Sequence, residues 1–139
     1  MPLYLQTLTE TAIRPTRASD GAAGLDLYAD EDATIPEYSR CWISTGIALS
    51  IAPAYVGLVW PRSGLAGSGL DTSAGVVDSD YRGEVKVLLC NGTPNRRTIK
   101  AGDRIAQLLI IPTGMPALVE VEALPETARG SNGFGSTGV

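Results

Sequence analysis

An all-β domain, a barrel or jelly-roll-like sandwich, is what this sequence predicts, and three observations carry the prediction. Apolar runs of strand length recur along the chain, several with period-2 alternation. Gly, Pro, Asn and Asp clusters punctuate them every few residues. No stretch shows the spacing of a convincing amphipathic helix. At 139 residues the chain has the size of one domain, long enough to bury a core without staples.

In chain order, Leu3 and Leu5 alternate with Tyr4 and Gln6 in a first strand over Met1–Leu8. Residues 9–23 are turn-prone and end in SDGAAG; Leu25–Tyr28 resumes the apolar pattern around Asp26. A carboxylate between Leu25 and Leu27 either faces solvent on the polar side of a strand or takes part in chemistry. Arg40–Ile51 is the clearest strand, with Ile43, Thr45, Ile47, Leu49 and Ile51 on one face. Pro53 interrupts it and Tyr55–Trp60 follows, so the two together predict a hairpin. PRSGLAGSGLDTSAG, from Pro61 to Gly75, is too rich in glycine for a long helix and leaves room for one short turn around Gly64–Gly69.

Ala74–Val77 and Val85–Leu89 flank the polar turn DSDYRG and predict a second hairpin, its later arm burying Val85, Val87 and Leu89. Such a tip leaves backbone N–H and C=O groups free to read a flat polar edge. Asp78 is the candidate base there, and Tyr81 offers a ring for packing. Asn91–Asn95 and Lys100–Asp103 are turns, and Ile105–Ile111 is a buried strand whose Gln107 needs a hydrogen-bond partner. Val119, Val121 and Ala123 alternate with Glu120 and Glu122 in a last, edge-like strand. The core domain is therefore expected over residues 1–124. Residues 125–139 form a Gly-rich arm, either a loose tail or a segment ordered by a partner or ligand.

Composition narrows the chemistry. The net charge is −4, from 15 acidic and 11 basic residues, so stable nucleic-acid binding is not expected. The acidic run over residues 20–37 reads as a solvated face. With no histidine and two cysteines, Cys41 and Cys90, a structural zinc site is disfavoured and two buried thiols are expected, while an oxygen-ligated ion such as Mg²⁺ stays open. No window spans a bilayer and no charged leader precedes an apolar core, which predicts a soluble intracellular protein, cytoplasmic or nuclear, without membrane attachment.

Five polar, glycine-containing stretches stand in order: AAGLDL, PRSGLA, AGVVDSDYRG, GDRIAQL and RGSNGFGSTG. In sequence and spacing they resemble the five motifs of the trimeric all-β dUTPase family, over essentially the whole chain. The resemblance implies a homotrimer with shared active sites that hydrolyses dUTP to dUMP and pyrophosphate with Mg²⁺. Such an enzyme limits uracil incorporation into DNA and supplies dUMP for thymidylate synthesis. By the same resemblance Asp78 activates the water that attacks the α-phosphorus, and Tyr81 packs on the deoxyribose. Backbone around Gly75, Val76 and Val77 reads uracil. Ser63, Gly64 and Gln107 contact phosphate, with Arg62 as a supporting polar group beside them. Arg129, Gly135, Ser136 and Thr137 belong to the arm that holds the distal phosphates, and Phe134 stacks on the base. Asp26 sits near the metal, through water, with the ion held mainly by the triphosphate. Asn132 stands where the family more often has glycine, and the segment 67–73 is unusually rich in Gly and Ser.

Two other functions share these features. A dCTP deaminase on the same fold needs a group that protonates the cytosine ring, and Glu84 lies past the turn. A binding or regulatory module would be expected to lose Asp78, Tyr81 or the arm, and all three are present.

Overall fold

The computed structural model describes residues 2–134. Ten strands and one short helix follow in order: β1 (Tyr4–Thr7), β2 (Leu25–Tyr28), β3 (Ala33–Ile35), β4 (Arg40–Ser50), β5 (Tyr55–Trp60), α1 (Ser63–Gly67), β6 (Leu70–Ser73), β7 (Val76–Val77), β8 (Glu84–Asn91), β9 (Arg97–Ile99) and β10 (Arg104–Pro112). One antiparallel sheet has the order β1-β4-β8-β6 and a second the order β2-β10-β5-β7; β3 and β9 make a small third ladder. Ile43, Ile47, Val85, Val87 and Leu89 of the first sheet meet Leu27, Val59, Ile105 and Leu108 of the second in one buried cluster. The result is a jelly-roll-like sandwich, as the alternation of apolar residues predicts.

The pairing differs from the sequence reading in two places. β4 and β5 do not form a hairpin: β4 pairs with β1 and β8, whereas β5 pairs with β10 and β7. The link between them, with Ala54 at φ 65°, carries the chain from one sheet to the other. The two arms around DSDYRG are likewise split, since β7 pairs with β5 and β8 with β4 and β6. Alternation shows which face of a strand is buried; it carries no information about which strand lies alongside.

Two short strands, β3 and β9, escape the sequence reading, and so does β6. LDTS lies in the Gly/Ser-rich stretch yet pairs with β8 from Leu70↔Asn91 to Ser73↔Leu88. The strand expected at 119–123 is not formed. From Thr113 onward the described residues carry no strand, and Met115, Leu118, Val119, Val121 and Leu124 are all exposed. Alternation becomes a strand only where a partner pairs with it, and no described strand pairs with this segment. Cys41 and Cys90 are free and half-buried rather than fully buried. No helix among the described residues is long and apolar enough to cross a membrane.

The acidic run is largely exposed, as expected of a solvated face, but three of its carboxylates have partners. Glu31 Oε1 accepts from the Ser44 amide at 2.8 Å, and Asp30 Oδ2 accepts from Thr9 Oγ1 at 2.6 Å. Asp32 accepts from the Ala101 amide and from Lys100 Nζ, each at 2.9 Å. The Ala101 amide, then the Lys100 ammonium, hold the Asp32 carboxyl below its usual range; Asp32 in turn raises Lys100. The lowered carboxyl contributes stability above its unfolded pKa, about 3.9, that is lost as pH falls through its folded value. The raised ammonium contributes below about 10.4 and loses its share as pH climbs through its folded value. Both groups are solvent-exposed, so the effect is small. Asp32→Asn is expected to melt slightly earlier than the parent at pH 7, with the gap closing near pH 2 when both are followed by circular dichroism.

Candidate active site

Three adjacent strands bring the first cluster together. Gln107 of β10 lies between Asp26 of β2 and Trp60 of β5 in the ladder register. Its Nε2 donates to the Pro61 carbonyl at 2.9 Å, which meets the need for a partner inside a largely buried strand. That bond also ties the turn after β5 to the sheet. Beyond the turn, Arg62 is extended at the start of α1, with Ser63 and Gly64 exposed in its first turn. Asp26 is mostly buried and held from two sides: Oδ1 by Arg62 Nε at 3.2 Å and Oδ2 by Arg104 Nη1 at 3.3 Å. Asp26 therefore neither faces solvent nor stands free; it orients two guanidinium groups.

The second cluster surrounds a cavity of about 470 Å³. Ala74, Val76, Val77, Asp78 and Tyr81 line one side, Glu84, Val85 and Lys86 the other, with Val59 and Trp42 completing it. Backbone order here is set at Gly75. Its carbonyl accepts from the Val59 amide at 2.7 Å, and a Cβ built at Gly75 would fall on the Val59 carbonyl oxygen. Only glycine permits so close a passage, and it places Val76 and Val77 opposite Leu58 and Gly57.

The turn braces itself. The Tyr81 amide donates to the Asp78 carbonyl at 3.2 Å, and the Tyr81 hydroxyl donates to the Glu84 carbonyl at 3.0 Å. Arg82 caps the Ser79 and Tyr81 carbonyls at 2.8 and 2.9 Å. The Asp78 side chain is left exposed at the cavity, with the Tyr81 ring half-exposed beside it. A split turn between two sheets thus does what a paired hairpin was expected to do: it holds a carboxylate and a ring over open backbone.

Arg62, Ser63, Gly64 and Gln107 do not line this cavity. The expected site is brought together as two clusters, Asp26–Arg62–Gln107 and Gly75–Asp78–Tyr81. Arg129 Nε donates to the Asn132 carbonyl at 2.8 Å within its own segment, and Phe134 is fully exposed. Gly135, Ser136 and Thr137 lie outside the described residues. Among the described residues no three Cys, Asp or Glu side chains gather as a metal cage. Two cavity-lining side chains, Trp42 and Lys86, were not legible as site residues, because strand alternation assigns both to an outward face without saying what that face overlooks.

The β-sandwich thus presents a carboxylate, a tyrosine and open backbone at one cavity, and a carboxylate-ordered arginine pair in a separate cluster, features that suit an anionic, ring-bearing ligand. The dUTPase family profile matches residues 10–138. The chain is 47% identical to the deoxyuridine 5'-triphosphate nucleotidohydrolase of Paramecium bursaria Chlorella virus 1, covering 99% of this chain and 98% of the relative. It is 46% identical to the probable enzyme of the same name from Schizosaccharomyces pombe, over the full length of both. Among solved structures, Staphylococcus bacteriophage 80alpha dUTPase with dUPNHPP superposes with a TM-score of 0.94 at 29% identity, covering 99% of each chain. The chain belongs to the dUTPase family and is a dUTP diphosphatase.

Proposed function

We propose that Asp78 is the base of this hydrolysis, that Mg²⁺ travels with the substrate, and that the working unit is a homotrimer whose chains share each site. The observation that carries the reading is the exposed Asp78 carboxylate beside Tyr81, at the cavity that Ala74, Val76 and Val77 line.

Asp78 accepts a proton from a water as that water's oxygen bonds to the α-phosphorus. The bond from the α-phosphorus to the bridging oxygen breaks, and pyrophosphate leaves with the electron pair while dUMP remains. No histidine is available and neither cysteine lines the cavity, so direct attack by water is the simplest route. Tyr81, fixed through its hydroxyl, closes the space a ribose 2′-hydroxyl would occupy. Free N–H and C=O groups of residues 75–77 match the uracil edge and leave buried groups unpaired against cytosine. Ser63, Gly64, Gln107 and Arg62 receive phosphate oxygens. Residues 125–139 close over the nucleotide, with Phe134 on the base and Arg129, Gly135, Ser136 and Thr137 toward the distal phosphates.

For Mg²⁺, the donor set is informative. Both Asp26 oxygens already face guanidinium groups and no carboxylate cage forms among the described residues, which fits an ion carried by the triphosphate and approached by Asp26 through water. When bound, the ion draws charge from the phosphate oxygens. A dUTPase of phage phi11 of S. aureus, TM-score 0.84 and 27% identical over 88% of this chain and 98% of that one, is described as coordinating a structural Mg(II) ion.

The homotrimer is supported by two features of the single chain. The base cavity and the arginine–glutamine cluster are not lined by the same residues, and the apolar row at 115–124 is uncovered. The test is pyrophosphate release from dUTP beside dTTP, dCTP and UTP, with the mass in solution measured by light scattering. Turnover of dUTP alone by a species three times the chain mass is expected. Deamination of dCTP, or nucleotide binding with no turnover, would overturn the reading.

A further inference from the structure

We propose that Trp42 is a binding residue for the base, a wall of the cavity supplied by a strand outside all five motif stretches. The inference rests on the function proposed above. Trp42 lies in β4 opposite Leu88 of β8, two residues from the Ser44↔Lys86 pair, so its side chain shares the outward face with Lys86 and Glu84. Leu88 on that face is nearly buried although it points away from the core, whereas the indole itself is 54% exposed. The same indole lines the cavity that holds Asp78 and Tyr81.

Its neighbours explain what it accepts. Lys86 Nζ and Glu84 Oε2 are 3.6 Å apart, and Glu84 Oε1 also accepts from the Gly46 amide at 2.9 Å at the β4 bulge. The two charges on that face thus offset one another. What remains on that side is a flat aromatic surface of the kind that packs against a pyrimidine. Base–aromatic contact of this sort tolerates any base and contributes affinity rather than identity. Selection is left to the backbone of residues 75–77.

The contact also has a predictable kinetic signature. Bonds change at the α-phosphorus, remote from the base, so the indole holds ground state and transition state equally. Removing it should raise KM and spare kcat. Trp42→Ala is expected to raise KM for dUTP roughly tenfold, in line with the loss of one stacked contact, with kcat within about twofold of the parent. Trp42→Phe should recover most of the loss. The chain has only two tryptophans, so Trp60→Phe leaves Trp42 as sole indole reporter. Titration of that variant with α,β-imido-dUTP should change its emission with a midpoint equal to the inhibition constant for the same compound.

An unchanged KM in Trp42→Ala overturns the proposal, as does emission indifferent to the nucleotide while dUTP turnover persists. Loss of kcat together with dissociation of the assembly would make Trp42 an interface residue and overturn it equally. Absence of dUTP turnover in the unsubstituted protein marks failure of the underlying reading, and the proposal falls with it.

Discussion

Asp78→Asn is expected to lower kcat for dUTP about a thousandfold while leaving nucleotide affinity and the melting temperature near those of the parent. The magnitude is that of a positioned general base removed from a water-attack mechanism. Asparagine matches aspartate in shape, so the cavity keeps its volume, but its amide cannot take the water's proton as the bond to phosphorus forms. The fold has little to lose: the Asp78 side chain is exposed, and the turn is held by the Asp78 carbonyl, which survives the substitution. Steady-state pyrophosphate release and calorimetric titration with α,β-imido-dUTP check the two halves. Retained kcat would remove Asp78 from the mechanism.

Gly75→Ala should damage both stability and turnover, for a reason that lies in the backbone. Its added methyl would occupy the place of the Val59 carbonyl oxygen, and β5 and the 74–78 segment must separate to admit it. The Val59–Gly75 hydrogen bond and the pairing of Val76 and Val77 are then disturbed together. Overpacking of this kind costs about 1–3 kcal/mol. Displacing the floor of the cavity by an ångström is expected to cut kcat/KM about a hundredfold. Gly67→Ala, where an added Cβ meets nothing within 4 Å, is the matched control and should leave both unchanged. Thermal melts and dUTP kinetics on the pair decide it, and equal behaviour of the two variants would refute the argument from close approach.

The strands that proved legible are those whose own alternation or apolar run meets a packed face: β1, β2, β4, β5, β8 and β10. β6 was hidden because four residues flanked by glycine have no period to read, and its pairing is made by the long, regular β8 beside it. At 119–123 the period was present and the strand was not, because alternation makes a strand only against a partner and no described strand pairs there. The carboxylates show the same division. Asp26 stood out as an oddity between two leucines, but its partners Arg62 and Arg104 come from elements far along the chain. Asp30, Glu31 and Asp32 read only as surface charge, and their partners Thr9, Ser44, Ala101 and Lys100 come from other parts of the fold.

By itself, then, the sequence determined the all-β class, the faces that are buried and the residue types gathered at the candidate site: a carboxylate and a tyrosine on a glycine-bounded turn, with glycine-containing bends before and after it. Local chemistry suffices for those, because periodicity and turn preference act over a few residues. Only the tertiary structure decided which sheet each strand joins, that Asp26 orders two arginines, and that Trp42 looks into the cavity of Asp78. Each of these is a relation between residues tens of positions apart, set by packing two sheets around one core, and no short-range pattern encodes it.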